Sequence, residues 1–168
     1  ELARLLVEVE GDVQFERQEN HLFFRVGDRV LISRMIEAQF PAYERVVPRG
    51  NDKVIEFERE RLANALKRVA LLSPERSKAV KFSIEAGKVE VSSNSPELGE
   101  AKEIIQVDEY TGPALQIGFN GQYVLNFLDV VGTDAVALAL KDEVSQAVMK
   151  PVGQDGFDYT YVLMPMRF

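Results

Sequence analysis

The sequence predicts an α+β fold in which two amphipathic helices pack on a largely antiparallel sheet. Short stretches with apolar residues at alternate positions recur along the chain, which is typical of half-buried strands. Several of these stretches are separated by tight turns such as Gly27-Asp28 and Ala86-Gly87, which predicts hairpins. Two longer stretches, 59–72 and 121–131, instead place apolar residues with the period of an α-helix.

The composition is that of an ordinary folded domain. The chain has 168 residues, of which 46% are hydrophobic and 28% charged, so it can bury a core. It has no cysteine, which excludes disulfides, a thiolate nucleophile and cysteine-bound metals. No apolar run approaches a membrane span and no signal peptide is recognisable, so we expect a cytoplasmic protein. The net charge of −7 argues against nonspecific DNA binding by the whole surface, but leaves room for a local basic stripe.

The first forty residues are predicted to be the second half of a domain. Leu2, Leu5 and Leu6 share one helical face, and Glu1 is not a start methionine, so we expect a fragment. Strands are predicted at 7–9, 13–15, 22–26 and 29–35. His21, the one histidine, is interpreted as a solvated loop residue because no second ligand lies near it in sequence.

Residues 39–51 contain Pro41, Pro48 and Gly50 without a regular period, which indicates a connector between domains. An ordinary long loop is the alternative. Its apolar side chains, such as Phe40 and Val46, suggest that it packs on another element. We therefore predict part of one domain at 1–40, a connector at 41–50 and a complete domain at 51–168.

A strand at 53–58 is followed by the first long amphipathic helix, 59–72. Its apolar face consists of Leu62, Ala65, Leu66, Val69 and Leu72. The opposite face consists of Arg61, Asn64, Lys67, Arg68 and Leu71. Counting Arg59, the helix has four basic residues and the single acidic Glu60. Its net charge is therefore positive, opposite in sign to that of the whole protein. A solvated face with incidental charge is the alternative interpretation.

After Ser73-Pro74 ends that helix, we predict a hairpin at 78–85 and 88–93, a turn at 94–99, and strands at 103–110 and 113–118. Glu97, Glu100 and Glu103 form an acidic patch in this region. A metal site is disfavoured because no aspartate or histidine joins them in the motif. A solvated edge, or a partner for basic residues, is favoured.

Asn120 is a suitable N-cap for the second helix, 121–131, with Tyr123, Val124, Phe127, Leu128 and Val131 as its apolar face. Strands are then predicted at 135–140, 143–150 and 158–164. Seven of the last eight residues, 161–168, are apolar or aromatic, which is unusual for a chain end. Since Pro165 donates no hydrogen bond, we expect the strand to stop there and release residues 166–168.

No catalytic constellation is recognisable. The histidine lacks a matching aspartate and nucleophile, and Gly118-Phe119-Asn120-Gly121 lacks the lysine of a phosphate-binding loop. An enzyme therefore ranks below a binding protein, and we expect no cofactor and no metal.

Five segments in colinear order resemble the family of bacterial DNA polymerase III beta subunits, the sliding clamps. Residues 39–48 (QFPAYERVVP) and the ending MPMRF at 164–168 carry most of the resemblance. Residues 31–47, 92–101 (SSNSPELGEA) and 117–125 (IGFNGQYVL) add to it. The resemblance implies a DNA-clamp fold, with two helices per domain on a curved sheet. It also implies a non-catalytic homodimeric ring around duplex DNA that acts as a processivity factor in DNA replication.

The resemblance assigns roles to particular residues. A hydrophobic pocket for peptides of the replicative polymerase, clamp-loader subunits and other clamp-binding-motif proteins is implied at Pro41, Arg45, Val46, Ser77, Asn120, Tyr123, Val144, Gln146, Val162, Leu163, Met164, Pro165, Met166, Arg167 and Phe168. Ser77 and Gln146 are positions at which some relatives differ. A DNA-facing surface is implied at Arg61, Asn64, Lys67 and Arg68. A subunit interface is implied at Leu71, Leu72, Glu97, Glu100 and Glu103, and we expect this fragment to be monomeric. The alternative is a β-rich peptide- or ligand-binding module unconnected with DNA.

Overall fold

A computed structural model describes residues 2, 4, 11–74, 77–108, 110 and 112–167. It divides into two compact units, Glu1–Ala42 and Tyr43–Phe168. Leu2 and Arg4 are helical. The rest of the helix expected at the start, and the strand expected at 7–9, lie outside the described residues.

The described residues of the first unit form three antiparallel strands in sequential order: β1 (Gln14–Gln18), β2 (His21–Val26) and β3 (Arg29–Arg34). The strand expected at 13–15 is wrong in its bounds, because Phe15 and Arg17 pair in register with Phe24 and Leu22 and extend β1 to Gln18. His21 is also not a loop residue. It begins β2, pairs with Gln18 and stays exposed.

The second unit begins with a 3-10 turn, Tyr43–Arg45. The remaining elements are β4 (Lys53–Glu58), α1 (Arg59–Ala70), β5 (Ala79–Glu85), β6 (Lys88–Ser95), β7 (Gly99–Gln106), β8 (Leu115–Asn120), α2 (Gly121–Val130), β9 (Ala135–Leu140), β10 (Ala147–Val152) and β11 (Tyr161–Leu163). One sheet has the order β7-β6-β5-β8 and the other β11-β10-β9-β4, with every pairing antiparallel. The α+β prediction is confirmed.

Both helices contribute to one core between the sheets. Leu62 and Leu66 of α1 and Phe127 of α2 are fully buried in it. Phe82 and Phe119, on the neighbouring strands β5 and β8, meet edge to face with ring centroids 5.5 Å apart. Such contacts add about 0.5–1.5 kcal/mol to the area that aromatic rings bury. The core therefore fixes the position of α1 and α2 relative to the strands around them.

Helix α1 ends at Ala70, two residues before the predicted end. The hydroxyl of Ser73 donates to the carbonyl oxygen of Ala70 at 2.8 Å, and the amide of Ser73 donates to the same oxygen at 3.1 Å. These bonds satisfy a carbonyl that would otherwise lack a partner at the helix end. As a result Leu71 is exposed and Leu72 is half-buried beyond the last turn.

Several other predicted bounds are wrong, including those of the strand expected at 158–164, which spans only Tyr161–Leu163. The turn expected at 94–99 is shorter, because β6 continues to Ser95, which pairs with Gly99 at the start of β7. The strands expected at 103–110 and 113–118 lie at 99–106 and 115–120 instead. The strand expected at 143–150 lies at 147–152, since Asp142 accepts hydrogen bonds from the amides of Val144 and Ser145 and folds that segment into a turn.

Among the described residues, no helix has both the length and the apolar character needed to cross a membrane.

Candidate binding groove and flanking surfaces

The C-terminal segment joins both sheets of the second unit. Strand β11 pairs with β10, and Leu163 is buried opposite Ala147. After Pro165, the amide of Met166 donates to the carbonyl oxygen of Gly118 in β8 at 2.8 Å. The expectation that Pro165 releases the residues after it is therefore wrong for Met166. The proline interrupts one ladder, and the chain then forms a bridge to the edge of the other sheet.

A surface groove of about 440 Å³ lies beside this segment. We call it the tail groove, and its lining residues are Ser77, Asn120, Tyr123 and residues 161–166. Two of its apolar side chains are largely exposed, with Tyr123 at 56% and Met164 at 63%. Exposed apolar side chains that converge in a concavity are typical of a binding site.

Tyr123 occupies the tail groove because of the way that α2 begins. The side-chain oxygen of Asn120 accepts hydrogen bonds from the amides of Gln122 and Tyr123, at 2.9 and 3.4 Å. The predicted N-cap is thus confirmed, and it holds Tyr123 in the first helical turn. The expectation that Tyr123 belongs to the buried face is wrong, since Leu125 is buried instead.

A row of aromatic rings supports the groove from beneath. Phe127 is fully buried, and its ring centroid lies 5.5 Å from that of Tyr159 and 5.4 Å from that of Tyr161. Burial raises the pKa of Tyr161, and the neighbouring Tyr159 and Tyr123 raise it further. Tyr161 is therefore neutral at physiological pH and acts as a packing residue.

The remaining predicted pocket residues of the second unit are not in the tail groove. Val144 and Arg167 line a second groove, which also includes Met166. Arg45 is the last residue of the 3-10 turn and Val46 follows it, and both are exposed, Val46 by 47%. Gln146 is half-buried, and its carbonyl oxygen accepts a hydrogen bond from the side-chain amide of Asn51 at 3.0 Å. Pro41 belongs to the first unit, and Phe168 lies outside the described residues.

The second groove, of about 470 Å³, is called the flank groove here. Its lining includes Lys81, Gln116, Gly118, Glu143, Val144, Met166 and Arg167. Met166 lines both grooves. Sequence reasoning missed Lys81 and Gly118 as lining residues, because their proximity to the C-terminal segment depends on strand pairing.

The predicted DNA-facing residues Arg61, Asn64, Lys67 and Arg68 are all exposed on α1, but their surroundings differ. Arg68 donates through Nε to a carboxylate oxygen of Glu103 at 2.6 Å, a hydrogen bond that lowers the pKa of Glu103 and raises that of Arg68. Arg61 lines a groove whose other charged residues are Glu56, Glu58, Asp108 and Asp134. Lys67 forms no ion pair with any residue that the structure describes.

Arg59 is not part of this exposed face. Its guanidinium donates to the carbonyl oxygen of Thr133 at 3.0 Å and to that of Leu128 at 3.5 Å. Its own amide donates to the carbonyl oxygen of Asp134 at 2.8 Å. Arg59 therefore connects the start of α1 to the end of α2, a role that its sequence position did not indicate.

The predicted interface residues lie around β7 and the end of α1. Glu97 lies in the turn between β6 and β7, Glu100 forms an ion pair with Lys102 at 3.0 Å, and Glu103 binds Arg68. A buried hydroxyl on β6, that of Ser93, donates to the carbonyl oxygen of Val69 at 2.7 Å and attaches α1 to this sheet. Two of the three glutamates are thus paired with basic residues, and the described residues contain no cluster of three or more metal-ligating side chains.

The comparisons with known proteins agree on one family. Residues 44–167 match a family model described as DNA polymerase III beta subunit, C-terminal domain. The chain is 41% identical to the beta sliding clamp of Pseudomonas putida and 33% identical to that of Escherichia coli, over 167 residues in each case. Each alignment covers 99% of this chain but 45% of the relative, so the chain spans less than half the length of these relatives.

Solved structures show the same similarity. A sliding clamp from Pseudomonas aeruginosa, crystallised with griselimycin, is 39% identical with a TM-score of 0.88 and is covered over 44% of its length. A sliding clamp from Bartonella birtlesii is 34% identical with a TM-score of 0.90 and is covered over 47% of its length. Both alignments include 99% of this chain.

Proposed function

This chain belongs to the DNA polymerase III beta-subunit family, and from that premise we propose that it is part of a sliding clamp for bacterial DNA replication. The complete clamp would be a dimeric ring around duplex DNA that holds the replicative polymerase near its template. Processivity would then come from encirclement rather than from a chemical step, so the chain would be a non-catalytic accessory subunit acting in the cytoplasm. Clamp-loader subunits and other proteins with a clamp-binding motif would share its docking site.

The tail groove is our candidate for that docking site. The observation that carries the proposal is the convergence of Asn120, Tyr123 and Met164 in one concavity, with two apolar side chains exposed to solvent. Methionine suits a site with several partners because its unbranched side chain repacks easily. Strand β11 is also the edge strand of its sheet, and such an edge can hydrogen-bond an extended peptide backbone.

Pro41, Arg45, Val46 and Gln146 do not line the tail groove in the described residues. We propose that any contact they make with a peptide lies outside the concavity itself. The chain covers 45% of the length of its curated relatives, and we propose that the complete clamp supplies further contacts to the peptide. Binding to this chain alone should therefore be weaker than to a chain with the full length of the relatives. Each tenfold loss in affinity corresponds to about 1.4 kcal/mol.

The test is a titration of a fluorescent peptide that contains glutamine followed by leucine and phenylalanine anchors. Met164→Ala and Tyr123→Ala should each weaken binding about tenfold or more, as expected when a buried anchor contact is lost. Phe157→Ala is the matched control, since Phe157 is 65% exposed and does not line the groove. Unchanged binding in both groove variants, with the fold intact by circular dichroism, would remove the tail groove from the proposal.

A further inference from the structure

The flank groove continues the surface of the tail groove on the other side of Met166. In the antiparallel register, Lys81 lies directly opposite Gly118, and Gly118 lies opposite Met166. Directly opposed residues share one face of a sheet. Because Gly118 has no side chain, a gap about two strand spacings wide, roughly 10 Å, separates the side chains of Lys81 and Met166. This gap is the floor of the flank groove.

The charges of the flank groove are unequal. Lys81 and Arg167 line it, and Glu143 is the one carboxylate among its described lining residues. Neither Lys81 nor Arg167 forms an ion pair with any residue in the described part of the chain. In a protein of net charge −7, two cations in one concavity that form no ion pair with any described residue create a local attraction for anions.

The position of the flank groove next to the tail groove determines which part of a bound peptide can reach Lys81 and Arg167. A peptide in the tail groove that continues past Met166 enters the flank groove directly, because that residue lines both. An extended chain advances about 3.3 Å per residue, so two or three further residues bring a side chain to Lys81. Val144, which is 66% exposed, offers an apolar contact at the same place.

We infer that the flank groove is a specificity site that recognises acidic residues flanking the peptide held in the tail groove. This inference rests on the proposed function of the tail groove. Lys81 and Arg167 provide the attraction, Glu143 opposes it, and Gly118 leaves the space that the flanking residues occupy. Partners with the same central motif are thereby ranked by the charge next to that motif.

The experiment compares one central peptide with versions that carry two aspartates or two lysines, placed before the motif in one set and after it in another. The aspartate version should bind about two- to fivefold more tightly than the neutral peptide at one of the two ends, which is the usual size of an exposed charge interaction. The advantage should shrink as salt is added. The lysine version at that end should bind more weakly than the neutral peptide.

Variants separate this site from a general effect of charge. Lys81→Gln should abolish the aspartate advantage without changing the affinity of the neutral peptide, and Lys81→Arg should retain it. Glu143→Gln should increase the advantage. Lys88→Gln is the matched control, because Lys88 begins β6 next to the far end of β5 and forms its ion pair with Glu85.

The two possible failures are distinguishable. If the neutral peptide does not bind, the proposed function of the tail groove fails. If the neutral peptide binds but the aspartates give no advantage at either end, or the advantage is the same in Lys81→Gln as in Lys88→Gln, the flank groove is not a specificity site.

Discussion

Arg59 adds to the basic charge of α1 in the sequence, but its side chain binds the segment around the end of α2. Its side chain is one-quarter exposed and donates to the carbonyl oxygen of Leu128, in the last turn of α2, and to that of Thr133, just after the C-terminal end of the helix. A positive charge at that end also opposes the partial negative charge of the helix terminus. The basic character of α1 is therefore smaller in the structure than its sequence predicts.

We predict that Arg59→Met lowers the free energy of unfolding by about 1–3 kcal/mol, the range for hydrogen bonds from a charged donor whose acceptors are then left without partners. Methionine retains much of the aliphatic length, so the loss reflects mainly the guanidinium. Urea denaturation monitored by circular dichroism measures it. Arg61→Met is the control and should change the free energy by no more than about 0.5 kcal/mol, as at other exposed positions. Equal effects of the two substitutions would contradict the assigned role.

Asp142 gives a pH-dependent prediction for the loop that carries Val144. Hydrogen bonds from the amide of Val144, and from the hydroxyl and amide of Ser145, hold the pKa of Asp142 below its ordinary value of 3.8. A carboxylate whose pKa is depressed on folding stabilises the fold above its unfolded pKa, and this stabilisation is lost as the pH falls through the folded pKa. The turn should therefore persist at neutral pH and open only below about pH 4.

Amide hydrogen exchange at Val144 and Ser145 measures this opening. Exchange should be slow at neutral pH relative to an Asp142→Ala variant, and the difference should vanish in acid after correction for intrinsic exchange rates. Asp155, in the turn before β11, is the control site for substitution. Protection at Val144 that is the same in Asp142→Ala and in the parent chain would show that the carboxylate does not hold the turn.

The strands differ in how well the sequence predicted them, and the differences have identifiable causes. The bounds of β4 and β9 match the prediction. Gly132-Thr133 and Lys141-Asp142 mark the two ends of β9, and the change from strand to helical periodicity after Glu58 marks the end of β4. The predicted β10 begins four residues too early and ends two residues too early, since the alternation gives no sign that Asp142 turns the chain through side-chain hydrogen bonds. β6 extends past its predicted end because Ser95 is stabilised by pairing with Gly99, a contact that local propensity does not include.

The tail groove, like the strands, is predictable from the sequence only in part. The resemblance assigns Ser77, Asn120, Tyr123 and residues 162–166 to one pocket, and all of them line the tail groove. The link between Met166 and Gly118 could not be predicted, because Pro165 correctly indicated the end of one ladder but gave no information about the next partner. Contacts between residues far apart in sequence depend on how the two sheets pack.

Helix α1 gives a prediction about the proposed DNA-facing surface. Since Arg68 is held by Glu103 and Arg61 lines a groove together with four carboxylates, Lys67 should contribute more to phosphate contact than either arginine. In a protein with the full length of the relatives, Lys67→Ala should reduce the slope of log affinity against log salt by about one, the value for one lost phosphate contact. Arg68→Ala should reduce it by less. Filter binding to duplex DNA across a salt series measures the slopes.

Two further variants complete that experiment. Asn64→Ala serves as the neutral control and should leave the slope unchanged. Glu103→Gln should release Arg68 and make the slope steeper. An Arg68→Ala effect as large as that of Lys67→Ala would show that the ion pair with Glu103 does not compete with DNA.

For the whole molecule, we predict that these 168 residues are monomeric in solution. The proposed interface residues lie around one edge strand, β7, and the adjacent end of α1. A head-to-tail contact requires a different surface on the partner, and we propose that in the complete clamp this surface belongs to another domain of the neighbouring protomer. Two copies of this chain would instead place Glu97 and Glu100 against the same acidic residues. The charged pair Glu100–Lys102 on the edge strand also disfavours edge-to-edge pairing.

Sedimentation equilibrium over a range of concentrations measures the mass, with Leu71→Asp as the informative variant because Leu71 is 76% exposed. The parent chain and Leu71→Asp should both sediment as monomers. A tight dimer of the parent chain that Leu71→Asp dissociates would mean that the surface is self-complementary, because a single type of surface would then suffice for association. The head-to-tail assignment of Leu71, Leu72 and the three glutamates would fail, since a self-complementary surface pairs with its own copy and not with a different domain.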